Sequence, residues 1–183
     1  MATSHSKGPK KSVTLSCRLD GTLYDLLQDE SRAKGISLNS LINSIMKRYV
    51  SWEKYAVEIG FIPLARDTVR LIFDSLDERK ITDIAKHVGR TIPRELILLM
   101  FNKIDFNSIM SFMEITLSRY GMLQHNISGT THDLMLHHNV NKKFSYFLGE
   151  GGKAMADDLD FKFSVTNADS RILSVRIDES ADK

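Results

Sequence analysis

Cysteine is almost missing from this chain of 183 residues. Cys17 stands alone, so no disulfide can close within the chain, and a reducing interior is the natural setting. Long apolar runs are missing too, since none approaches the roughly 18–20 residues that a bilayer span needs. The first twelve residues, MATSHSKGPKKS, are polar and basic and lack the apolar core of a secretory signal. These absences together point to the cytoplasm. Charge of one sign is not in large excess either, with 25 Lys and Arg against 23 Asp and Glu. At 42% hydrophobic and 26% charged, the composition is that of a folded globular protein rather than a disordered one.

The near-neutral total conceals a bias. Residues 1–57 hold nine basic side chains against five acidic ones, an excess of four, while the remainder is slightly acidic. A basic head on an acidic body suits a head that meets phosphates.

What is present is clearest between residues 13 and 42, VTLSCRLDGTLYDLLQDESRAKGISLNSLI. Val13, Leu15, Cys17 and Leu19 alternate with Thr14, Ser16 and Arg18, the period of two that defines a strand with one buried face. Asp20 is placed to cap a first helix, with Leu23, Leu26 and Leu27 as its inner stripe and Ala33 near its end. Gly35 suits the stop, because glycine takes a left-handed conformation without steric cost. Ser37 caps a second helix whose stripe runs through Leu38, Leu41, Ile42, Ile45, Met46, Tyr49 and Val50. That stripe is wider than one small neighbouring helix can cover, and a dimer core would use the surplus. The strand has no sequence-adjacent partner and is too short to stand alone, so its expected partner is its own copy in a second chain.

From Thr14 to Tyr49 the chain resembles the ribbon-helix-helix DNA-binding proteins of the Arc and MetJ type. The resemblance lies in the strand ending Arg18-Leu19-Asp20, in Leu23 and Leu27, and in the turn Gly35-Ile36-Ser37 leading to Ser40, Leu41 and Ile42. It departs at Glu30 and Ser31, where the family usually carries an apolar residue and an alanine. The resemblance implies a homodimer whose paired strands enter the major groove of double-stranded DNA, with tandem dimers on adjacent half-sites. Thr14, Ser16 and Arg18 would then meet base edges, and Ser37, Leu38 and Asn39 at the start of the second helix would hold a phosphate. The chemistry agrees: arginine makes bidentate contacts to guanine, and a helix start offers free N–H groups to an anion. Lys10 and Lys11 in the arm add phosphate contacts that salt weakens.

The rest of the chain reads as a second domain. The expected organisation is a flexible basic arm over 1–12, a ribbon-helix-helix domain over 13–57, and a sensing or assembly domain over 64–183. The fold class is mainly α with an α/β C-terminal part. Helix two ends before Gly60, and Phe61–Leu64 forms a linker or short strand. Helices dominate from Asp67 to about Tyr120, with Pro93 in the first turn of a helix spanning Arg94 to Phe101 and Thr91 capping it. Residues 124–130 read as a loop, Thr131–Asn139 as a strand and Lys142–Leu159 as a helix interrupted at its glycines. Phe161–Thr166 and Arg171–Ile177 form a hairpin, completing a small sheet with helices on one face.

Other chemistry is set aside. ITDIAKHVGRTIPREL has a helix-turn-helix spacing through Ala85 and Gly89, but its second helix, Arg94 to Met100, is too apolar for a groove. His125, His132, His137 and His138 cluster without cysteine and match no metal motif, so no metal ligand and no cofactor is assigned. Gly149-Glu150-Gly151-Gly152-Lys153 lacks the spacing of a phosphate loop. Ser145 lacks an elbow or triad context. The expected function is therefore non-enzymatic: a DNA-binding transcriptional regulator. An antitoxin-like protein, whose C-terminal part binds a protein partner, is the alternative.

Overall fold

The computed structural model describes residues 13–179. The chain is mostly helical with one small antiparallel sheet. It forms two compact units, Met1–Lys47 and Arg48–Lys183. Residues 48–57, expected in the first domain, therefore belong to the second, where Trp52, Tyr55 and Ile59 pack against its core. Among the described residues no single helix is long and apolar enough to cross a membrane.

The first unit contains α1 (Gly21–Ala33) and α2 (Leu38–Arg48). Asp20 caps α1 as expected, its carboxylate accepting from the N–H groups of Thr22 at 2.9 Å and Leu23 at 3.2 Å. The stop is a glycine motif. Gly35 sits at φ 63°, its N–H reaches the Arg32 carbonyl, and the Ile36 N–H reaches that of Ser31, each at 3.0 Å. Ser31 is buried, and its hydroxyl donates to the Gln28 carbonyl at 2.8 Å. A polar residue where the resembled family has alanine is thus satisfied by its own helix.

The second unit begins with a π-helical turn, Tyr49–Glu53, followed by α3 (Lys54–Ile59), α4 (Arg66–Ser75), α5 (Glu78–Phe101) and α6 (Phe106–Leu117). Phe61–Leu64 is irregular rather than a strand. Strands β1 (Met122–Ser128) and β2 (Thr131–His137), helix α7 (Lys142–Leu159), and strands β3 (Phe161–Ala168) and β4 (Ile172–Glu179) complete it. The sheet order is β1-β2-β4-β3, antiparallel throughout. The expected loop at 124–130 is mostly β1. As an edge strand it carries Gln124, His125 and Asn126, and polar edges read as loop in the sequence.

Two further expectations fail for one reason. Pro93 and Thr91 do not start a helix but lie inside α5, an unbroken helix of 24 residues. Ile81, Ala85, Gly89 and Pro93 recur every four residues as its buried stripe, joined by Leu96 and Ile97. This also removes the turn that a helix-turn-helix would need. Thr91 does not cap; its hydroxyl donates back to the His87 carbonyl at 2.9 Å. Likewise α7 is not interrupted at its glycines. A Cβ on Gly89 would lie 2.3 Å from the Gly151 carbonyl oxygen, and one on Gly152 would lie 2.3 Å from the Phe163 ring. The glycines are therefore where α7 meets α5 and the sheet. The core gathers Leu96, Ile97, Phe112 and Met113 from the helices against Leu134, Leu173, Val175 and Ile177 of the sheet.

Candidate nucleic-acid interface

The residues expected to read DNA stand on the first unit. Thr14, Ser16 and Arg18 are all exposed. The expected strand Val13–Leu19 does not form within the single chain, and residues 13–20 carry no regular secondary structure. The physical reason is that no strand of the first unit offers them a hydrogen-bonding ladder. The expected alternation of burial is correspondingly missing. Val13 is 86% and Leu15 72% exposed, alongside Cys17, and Leu19 alone is half-buried.

The helices show the same surplus of uncovered apolar surface. Leu41 of α2 is buried and Leu27 of α1 half-buried, but Leu23, Leu26, Ile45 and Met46 are exposed. Ala33, expected to join the inner stripe, is exposed as well.

At the start of α2, the Ser37 hydroxyl oxygen accepts from the Ser40 N–H at 3.1 Å. Leu38 is half-buried and Asn39 exposed, and the first N–H groups of a helix have no partner in the helix itself. The Asn39 side chain is turned to Asn43, whose amide donates to it at 3.3 Å. These N–H groups are the donors an anion would use.

Electrostatically, residues 13–47 hold four basic and four acidic side chains. Arg32 pairs with Asp29 at 3.4 Å and Lys34 with Glu30 at 2.8 Å. Among the described residues, Arg18 and Lys47 are the first unit's cations without an ion pair. The basic excess of the head thus rests largely on Lys7, Lys10 and Lys11. Those three, with the expected phosphate contacts of Lys10 and Lys11, lie outside the described residues.

Among the histidines of the second unit, His125 and His132 form one contact and His138 another. His125 and His132 stack across β1 and β2, with Nε2 and Nδ1 2.8 Å apart, and Glu114 pairs with His125. Burial, then the neighbouring His125, holds His132 below the usual histidine value. His132 and His138 do not share a strand face, because β2 ends at His137. Among the described residues no group of three His, Cys, Asp or Glu side chains converges to hold a metal ion.

His138 is fully buried and lies 2.6 Å from the Ser145 hydroxyl, a juxtaposition that residue spacing did not reveal. The polarity of the pair is fixed by its neighbours. The Val140 N–H donates to His138 Nδ1 at 3.1 Å, so Nε2 carries the proton and donates to Ser145. Ser145 in turn donates to the Asp169 carbonyl at 2.5 Å. A histidine that donates to the serine is not its base, so this pair does not form an activated nucleophile.

Burial holds His138 below the ordinary value near 6.5. The unfolded chain protonates this imidazole more readily than the folded one. Stability from the neutral His138 is therefore full above about pH 6.5 and declines as pH falls from there toward the folded value. Urea midpoints at about pH 7.5 and 5.5 should show that decline, and His138→Gln should flatten it. Equal slopes in the two proteins would assign the dependence elsewhere.

No protein-family model, curated protein or solved structure matches this chain.

Proposed function

We propose that this chain is a sequence-specific DNA-binding regulator that acts as a homodimer. In this reading residues 13–19 of two copies pair antiparallel, and Thr14, Ser16 and Arg18 face the major groove. One observation carries the reading. An apolar-polar alternating segment lies exposed and unladdered directly ahead of a capped helix, a left-handed glycine turn and a second capped helix. Val13, Leu15, Leu26 and Met46 together expose apolar surface that a second copy would cover, and covering it is favourable at about 25 cal/mol per Å². Pairing would also give the orphan N–H and C=O groups of residues 13–19 their ladder. The packed α/β character of the second unit supports a sensing or assembly role over a tail that folds only on a partner.

The test combines sedimentation of the full chain with selection of bound fragments from random duplex DNA at fixed salt. A dimer that enriches repeated half-sites is expected. A chain that stays monomeric at every concentration and enriches nothing ends the proposal. The arm gives a separate prediction. Replacing Lys10 and Lys11 together by alanine should weaken binding alike on all sequences. Each dimer then carries about four fewer phosphate-neutralising charges, and the slope of log affinity against log salt should shrink by about three to four.

A further inference from the structure

The second unit contains a cavity of about 150 Å³ walled by α5, α6, α7 and the sheet. Ile92, Leu96, Met113, Leu117, Phe147 and Val175 are among its apolar lining residues. Only Thr116 and Tyr120 contribute side-chain hydroxyls to the wall. An apolar space of about this size accepts a benzene-sized guest.

Among the described residues two buried side-chain polar atoms have no hydrogen-bond partner, Thr116 Oγ1 and His137 Nε2, and only Thr116 lines the cavity. Thr82 and Thr91, also on a helix, each donate to the carbonyl four residues back at 2.9 Å. A buried hydroxyl without a partner costs stability until a partner arrives. An adjoining cleft shares Phe61, Thr116 and Tyr120 with the cavity and adds Glu53 and Arg119. Glu53 is already held by Arg48 at 2.6 Å. Among the described residues, Arg119 at the cleft has no carboxylate partner. Burial pushes the Tyr120 phenol above its usual value, so it stays a neutral donor.

We propose that this cavity binds a small carboxylic acid with a compact apolar body. The body, a single ring or a chain of about six carbons, fills the apolar walls. The carboxylate accepts from the Thr116 hydroxyl and lies on the Arg119 side. A neutral hydrocarbon would satisfy the walls but leave Thr116 unpaired.

The experiment uses the full chain with phenylacetate, hexanoate and uncharged toluene as probes, followed by thermal unfolding and calorimetry. Both acids should raise the melting temperature. Thr116→Val should weaken the acids about tenfold while sparing toluene. Without a probe, it should also raise the melting temperature, because the orphan hydroxyl is gone. Arg119→Gln should weaken the acids alone. Ile92→Phe, which fills the space, should abolish all three; should it fail to fold, the Thr116→Val comparison decides. The proposal is overturned if neither acid binds up to about 10 mM, if Thr116→Val binds them as the parent does, or if binding survives in a folded Ile92→Phe.

Discussion

On the proposed reading, Arg18→Ala should abolish selective DNA binding while leaving the chain folded and dimeric. The side chain is exposed and carries no ion pair among the described residues, so its removal breaks nothing inside the first unit. A bidentate arginine–guanine contact discriminates by about 1–3 kcal/mol, and a dimer presents two, which makes the expected loss roughly 30-fold to 10⁴-fold. Arg18→Lys keeps the charge and loses the fork, and should retain nonspecific affinity while relaxing base preference. Arg32→Ala is the control. That arginine is already engaged with Asp29 on α1, and its loss should be nearly silent. Competition titrations of selected against scrambled duplexes at one salt concentration measure all three. Unchanged discrimination in Arg18→Ala would mean that another surface reads the bases.

Gly89→Ala destabilises the second unit strongly. Alanine is the better helix former by about 1 kcal/mol, so α5 taken alone would gain. Sterics oppose that gain and win. The new Cβ would stand 2.3 Å from the Gly151 carbonyl oxygen, which is backbone and cannot swing aside as a side chain could. The two helices must then separate by about 1 Å, and the dense packing around Leu96 and Met155 opens with them. Overpacking of this kind costs about 1–3 kcal/mol, at times more. Because the helix gain offsets about 1 kcal/mol of it, a net loss of up to about 2 kcal/mol and a fall of up to roughly 5–10 °C in melting temperature are expected. Gly21→Ala, with nothing within 4 Å of the added carbon, should not fall. A Gly89→Ala chain that melts with the parent would show that the α5–α7 contact is looser than its geometry.

What the sequence reveals and what it hides divide along a physical line. Asp20, Gly35 and Ser37 were legible because caps and turns act within four residues of themselves. The hairpin of β3 and β4 was legible for the same reason. The glycines of α7 were not. Their small size answers Gly89 and Phe163, which lie far away in the chain, and locally they look like a break. Pro93 misled in the same way, since a proline read alone starts a helix while here it sits on the buried stripe of one. Residues 13–19 are the reverse case. Their alternation is plain in the sequence, yet a lone chain gives the pattern no partner to act on. Thr116 could not be seen at all, because an unpaired hydroxyl is a property of its surroundings.

The lone thiol gains a use from where it sits. Cys17 is exposed in the unladdered segment, and the chain has no other cysteine to confuse a reading. Its reaction with a maleimide therefore clocks how open that stretch is, without label or substitution introduced beforehand. If copies associate there, alkylation should slow as the protein is concentrated, and slow further when duplex is added.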